Sequence, residues 1–294
     1  MTVLLVYYFF IFIAGTLIGS FLNLVADRVV KGKNILVDRS ECDFCHTKLG
    51  VKDLFPIFSF LFQKGRCRYC DKKLSWYYPL SEIITGLMFV FVAHYTQILG
   101  SFNIYVLLSF IYVTVVFCFF IVLFLTDAKY MVIPNKIVYA GIAFILVFLV
   151  SNFSYAMYQF RQSLITDDFG KYLYESGYWH ENLYAGLRSL GVMLLSTFFI
   201  ALFFKFLIWV TKGRGMGEGD LPLAVLISVF NGYPFNILAI FMGFVVGAIF
   251  SLVLVALRRK SMKSTIPFGP FLILGSLIVF VWGEFLFEWY FSLF

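Results

Sequence analysis

Apolar residues run in stretches of about 20, separated by short polar segments. A hydrocarbon core about 30 Å thick takes a helix of that length. The runs fall at roughly 3–26, 79–99, 103–126, 133–151, 188–211, 220–234, 235–257 and 266–290. The sixth is short and closes at Asn231-Gly232-Tyr233-Pro234. The pattern predicts an all-α polytopic membrane protein of about eight transmembrane helices, with both termini on one face. It also predicts three parts: a first transmembrane helix at 1–26, a polar loop domain at 27–77, and a seven-helix membrane core at 78–294.

Composition agrees with this. The chain is 62% hydrophobic and 13% charged, more apolar than a soluble globular domain requires. Its net charge of +7 does not imply nucleic acid, because the basic residues sit in short loops between apolar runs. Loop 27–77 is the richest in Lys and Arg; Lys129, Lys136, Lys205, Lys212, Arg214, Arg258, Arg259, Lys260 and Lys263 fall on the same predicted face. Of 23 basic residues only Arg161, Lys171 and Arg188 fall in or beside the opposite 152–188 loop. That asymmetry predicts a cytoplasmic 27–77 loop and outside termini. The first run has no Lys or Arg before Arg28, unlike a cleaved signal peptide, and reads as a retained span. The 152–188 loop, with its YESGYWHENLY, reads as an interfacial aromatic belt.

Loop 27–77 carries Cys42-Asp-Phe-Cys45 and Cys67-Arg-Tyr-Cys70. Two C-x2-C turns each present two thiolates, and together they make a closed tetrahedral site for structural zinc. Basic neighbours favour the thiolate form. Disulfides conflict with a reducing compartment. Cys42–His46 also spells C-x-x-C-H, the haem-attachment pattern, but on the wrong face, and the second pair has Asp71 in place of the His. An iron–sulfur cluster does not require mirrored turns. Cys118, alone within a span, reads as a small packed hydrophobe.

Two aspartates stand at polar ends of apolar runs, Asp127 in TDAKYMVIPN and Asp220 in GMGEGDLPLA. A carboxylate at a membrane is costly and usually functional. Two that can share a proton are the minimum equipment of an aspartyl protease. Pro134 follows Asp127 and can restart a helix. Gly217 and Gly219 precede Asp220 and would allow unusual dihedrals and close approach of an extended peptide. Pro267, Gly269 and Pro270 open the last run on the same face. Glu82 reads as a helix-start acid interacting with the dipole, with a substrate or cofactor contact as the alternative, and Asp27 and Arg28 as interfacial charges.

These elements, in order, resemble the bacterial type IV prepilin peptidases, including those serving type II secretion and competence pseudopili. The shared segments are GSFLNLVADRV at 19–29, the paired Cys turns, YPLSEIITG at 78–86, and the Asp127–Pro134 spacing. Gly217-x-Gly219-Asp220 and IPFGPFLILG at 266–275 continue the series. The GxGD element alone also occurs in presenilin-like enzymes; the Cys turns and PFGP argue against that branch. Leu221-Pro222 and Asn135 depart from the family's usual residues, and the 152–188 loop is long for it. The resemblance implies a catalytic pair Asp127 and Asp220, supported by Gly217, Gly219, Pro134, Pro267, Gly269 and Pro270. It implies cleavage of prepilin or pseudopilin leaders at the cytoplasmic face of the bacterial inner membrane. It also implies N-methylation of the new amino terminus with S-adenosylmethionine, for which the sequence offers no Gly-rich motif. Two other readings compete: a proton-coupled transporter using the two acids, and a non-catalytic zinc-knuckle scaffold of a secretion or pilus machine.

Overall fold

The computed structural model describes residues 2–35, 37, 40–42, 44–100, 103–213, 216–257 and 266–292. The basic residues Arg39, Arg214, Arg258, Arg259, Lys260 and Lys263 lie outside them. Among the described residues the fold is helical, with no strand. The helices are α1 (Thr2–Lys31), α2 (Phe58–Phe62), α3 (Tyr77–Tyr95), α4 (Ile104–Tyr130) and α5 (Asn135–Thr166). After them come α6 (Asp168–Glu175), α7 (Tyr178–Thr211), α8 (Asp220–Asn231), α9 (Phe235–Ala256) and α10 (Gly269–Phe291).

Six of these are long and apolar enough to cross a membrane: α1, α4, α5, α7, α9 and α10. The chain is therefore a multi-pass membrane protein, and six of its described helices, rather than the expected eight, are long and apolar enough to cross on their own. Of the other two expected runs, α3 has 19 residues, and Glu82, Pro79 and His94 dilute its apolar character. Helix α8 has 12 residues, about 18 Å of rise, too little to cross alone. The 152–188 segment is also not a loop. Helix α5 runs on to Thr166, α6 follows, and α7 begins at Tyr178. At 32 residues α5 is about 48 Å long, well beyond the hydrocarbon thickness. Its polar, aromatic end reads as loop in sequence because it leaves the membrane, but it contains no Gly or Pro to stop the helix. The extension closes on itself: Trp179 Nε1–H donates to the Met157 carbonyl (3.3 Å), and the Arg161 guanidinium lies 5.8 Å from the Tyr174 ring.

The chain forms two compact units, Met1–Pro134 and Asn135–Phe294. In the first, α1 lies on α3 along a seam of small residues. A Cβ at Gly15 would sit 2.8 Å from the Gly86 Cα, and one at Gly19 would sit 2.9 Å from the Thr85 Cβ. Gly15 and Gly19 are four apart, so one helix face is bare and the backbones close up, as apolar helices do where lipid removes the hydrophobic drive. In the second unit α9 and α10 meet the same way. A Cβ at Gly275 would lie 2.6 Å from the Ala239 carbonyl oxygen. Polar side chains bridge helices in this unit: Asn231 Nδ2 donates to Ser276 Oγ and Asn236 Nδ2 to Ser196 Oγ, both at 2.7 Å. Helix α8 packs against α5, α7, α9 and α10, and Leu223, Leu226 and Ile227 are fully buried.

Candidate active site and metal centre

The four cysteines come together. Each offers one Sγ, and all four lie within 4.8 Å of one another, with Cys42 and Cys70 Sγ 4.0 Å apart. A tetrahedron with metal–sulfur bonds of ~2.3 Å needs sulfurs about 3.8 Å apart, so the cluster can hold a metal ion. The two turns have the same fold. Cys42 N–H donates to Thr47 O and His46 N–H to Cys42 O; Cys67 N–H donates to Lys72 O and Asp71 N–H to Cys67 O. Outside them Leu49 N–H reaches Ser40 O, as Leu74 N–H reaches Gly65 O, each at 2.8 Å. His46 (φ 54°) and Asp71 (φ 55°) occupy equivalent left-handed positions, which His and Asp tolerate better than most residues. The C-x-x-C-H spelling therefore reflects a turn residue. Hydrogen bonds from the Thr47 side chain and backbone bring the Cys45 thiol down to about 6. Cys70, pulled down by a Lys72 backbone bond, is pushed up to about 11 by burial and its neighbouring sulfurs.

Asp127 lies in the last turn of α4, in the first unit, and is 5% exposed. Its carbonyl accepts from the Met131 N–H (2.9 Å), and Met131 (φ 54°) stops the helix in the left-handed region. Pro134 closes the same unit and α5 begins at Asn135, so the chain turns just beyond the acid. This last turn is tied to α1 and α3 by charges that the sequence suggests are merely interfacial. Asp27 Oδ1 accepts from Lys129 Nζ (2.7 Å) and Tyr130 OH (2.9 Å), and Asp27 Oδ2 accepts from Tyr78 OH (3.3 Å). The Lys129 ammonium also lies 5.0–5.2 Å from the rings of Tyr77, Tyr78 and Tyr130, within cation–π range. Tyr77 OH donates to the Leu125 carbonyl (3.3 Å), two residues before Asp127.

Asp220 lies in the second unit, as the first residue of α8, and is 5% exposed. It is held by its own turn: Gly217 N–H donates to Asp220 Oδ2 (3.0 Å), and Asp220 N–H donates to Gly217 O (3.1 Å). The unusual dihedrals expected of the flanking glycines are not what they supply. Gly219 has φ −70°, and neither Gly217 nor Gly219 is among the glycines with left-handed φ. Pro222 is accommodated within the first turn of α8, where proline costs no backbone bond. Gly269 and Pro270 start α10 and are buried, with Pro267 just outside the helix. The intervening Phe268 ring packs 5.0 Å from Phe244 of α9.

Glu82 is not a helix-start acid. It is the sixth residue of α3, 7% exposed, and its Oε2 accepts the Ile57 N–H at 2.8 Å. No spacing rule links Glu82 to Ile57, or Asp27 to Lys129, and sequence reasoning misses both pairs.

Comparison with known proteins agrees along most of the chain. Residues 13–96 match the bacterial peptidase A24 N-terminal domain, and residues 114–252 match the type IV leader peptidase family. A prepilin leader peptidase/N-methyltransferase of Bacillus subtilis is 28% identical over 281 residues, covering 95% of this chain and 96% of that protein. Proteins of the same name from Aeromonas salmonicida and Pseudomonas aeruginosa are 26% and 24% identical, over 97% and 92% of this chain and 94% and 88% of theirs. No solved structure matches the chain. With both halves of the chain matched in order and relatives aligned almost end to end, the chain belongs to the type IV leader peptidase family.

Proposed function

We propose that this protein is a membrane aspartyl endopeptidase that removes the leader peptides of type IV prepilins or pseudopilins. It then N-methylates the new amino terminus with S-adenosylmethionine. The observation that carries the peptidase reading is the pair Asp127 and Asp220, each 5% exposed at the polar end of an apolar helix. They are the catalytic dyad. An aspartyl dyad works by sharing one proton, because both carboxylates cannot ionise cheaply in so little water. The ionised member takes a proton from the attacking water, and the protonated member donates to the scissile carbonyl oxygen. No covalent enzyme intermediate forms. The substrate's apolar helix lies in the bilayer and its leader in the cytoplasm, which is why the acids belong at the membrane surface. The Lys- and Arg-rich 27–77 loop supports that orientation in the bacterial inner membrane.

Residues Gly217, Gly219, Pro134, Pro267, Gly269 and Pro270 support the dyad by shaping the turns beside it. Cys42, Cys45, Cys67 and Cys70 hold structural zinc, which supplies folding energy to a loop too small for its own core. The transporter and scaffold readings gain nothing from the family match, and a proton relay would favour acids nearer the midplane.

The test uses purified protein in detergent, a candidate prepilin and intact-mass readout. Wild type removes the leader and, with S-adenosylmethionine, adds the mass of one methyl. Asp127→Asn and Asp220→Asn, folded and zinc-loaded, lose cleavage by about 10³-fold or more, in line with deletion of groups that act only in the transition state. Normal cleavage by either variant overturns the dyad.

A further inference from the structure

The first unit contains a cavity of about 220 Å³ between the end of α1, the start of α3, α2 and the cysteine turns. Three polar side chains that line it are nine-tenths or more buried: Asn23 (4% exposed), Arg28 (7%) and Glu82 (7%). Groups of this kind are costly to bury without partners. Asn23 Oδ1 accepts from Ser81 Oγ (2.8 Å), but its Nδ2 has no partner among the described residues. Arg28 Nη1 donates to the carbonyls of Asn34 (3.3 Å) and Ile35 (2.6 Å), which fixes the guanidinium at the wall. Glu82 takes the Ile57 N–H and a hydrogen bond from Ser20. Ile57 has φ 61° and ψ −53°, a strained conformation for a β-branched residue, so the wall formed by the 53–63 segment is held in place by Glu82. Phe60 and Tyr78 add aromatic surface, and Cys42 and Cys67 form part of the far side.

A ligand for this cavity needs an acceptor for the Asn23 amide, a carboxylate for Arg28, a hydroxyl or cationic group for Glu82 and a flat ring for Phe60 or Tyr78. S-adenosylmethionine has all four, in its adenine, ribose diol, sulfonium and amino-acid ends. We propose that this cavity, lined by Asn23, Arg28, Glu82, Phe60 and Tyr78, is the methyl-donor site. The inference rests on the methylation proposed above. The chemistry balances simply. The substrate's new amino terminus, having given one proton to solvent, attacks the methyl carbon with its nitrogen lone pair. The carbon–sulfur bond breaks with its electron pair left on sulfur. The products are an N-methylammonium and S-adenosylhomocysteine. The role of the protein is to bind and orient the donor, and no oxidant or reductant takes part.

The test is binding of S-adenosylhomocysteine to the full-length protein in detergent, by equilibrium dialysis. Folding of each variant is checked by zinc content and a monodisperse elution profile. Wild type binds, and Glu82→Gln and Asn23→Leu each raise Kd at least tenfold. Unchanged binding by folded variants, or no binding by wild type at millimolar ligand, overturns the site. Should a variant misfold, ultraviolet cross-linking of S-adenosylmethionine to wild type decides. Labelled peptides from 20–33, 40–63 or 74–82 sustain the assignment, and label elsewhere overturns it. Wild type that cleaves prepilin but neither binds nor cross-links the donor refutes this inference alone. Wild type that binds the donor but cleaves no prepilin refutes the peptidase reading instead.

Discussion

The two units hold their buried acids by different means. In the first, the turn carrying Asp127 is tied by side chains far apart in sequence, with Lys129 and Tyr130 of α4 reaching Asp27 of α1, and Tyr77 of α3 reaching the Leu125 carbonyl. In the second, the Gly217 N–H reaches Asp220 from within the same turn, and the acid opens a short helix that packs against α5, α7, α9 and α10. The first arrangement depends on the tertiary structure of α1, α3 and α4. The second includes a contact from the acid's own turn. Damage far from the acid should therefore be felt in the first unit and damage to the backbone in the second.

The largest expected effect is metal removal. A structural zinc contributes on the order of 10 kcal/mol to folding, so stripping it should open the 27–77 loop to protease while cuts within Asn135–Phe294 stay rare. Acid should do the same, with a definite sign. Zinc binds thiolate, and protons compete with it for the four sulfurs, so retention falls as pH drops. Released zinc, followed with a colorimetric chelator from pH 8 to pH 5, measures it. Zinc retained through pH 5 would show that protons do not displace the metal in this range.

Next comes the backbone of the second unit. Gly217→Pro deletes the N–H that Asp220 accepts. A hydrogen bond to a charged group is worth roughly 1.5–3 kcal/mol. Leader cleavage should fall about 10- to 100-fold, with little change in thermal midpoint. A large loss of stability with it would mean that the turn holds the helix rather than the acid.

Lys129→Met tests the first unit in the same way. It leaves Asp27, with an 18% exposed side chain, without its cation, and empties a ring of three tyrosines. Partial solvent access moderates the cost. We expect cleavage to fall roughly 3- to 10-fold and the midpoint to drop a few degrees. Wild-type activity would detach this network from Asp127.

How much of this was readable in advance follows from the range of each interaction. The apolar runs mark the membrane character, and the Cys spacing marks the metal cluster, because both signals are local. The Gly15/Gly19 spacing is an equally local signal of close helix contact, and the sequence reading misses it. The Asp27–Lys129 pair spans 102 positions, and the Glu82–Ile57 bond joins a helix to a loop backbone; neither leaves a periodic trace. The helical ends of α5 and α7 escape notice for a different reason. Where a helix leaves the membrane its hydropathy falls as a loop's does, and only the absence of breakers before Gly170 distinguishes them.

The smallest expected effect separates two explanations of the glycine beside Asp220. If Gly217 is needed so that an extended substrate can pass close to the acid, any Cβ there should obstruct cleavage. If it is needed only to present its N–H, alanine should serve. The geometry favours the second. The backbone φ is not left-handed, and a Cβ at Gly217 would meet nothing closer than Asp220 Oδ2 at 3.6 Å, an ordinary contact. Gly217→Ala keeps the donor and should cleave within about threefold of wild type, the change set by backbone entropy alone. Read beside Gly217→Pro, the pair isolates the N–H. A loss with alanine as deep as that with proline would give the residue to substrate passage and make Asp220 depend on space as well as on its hydrogen bond.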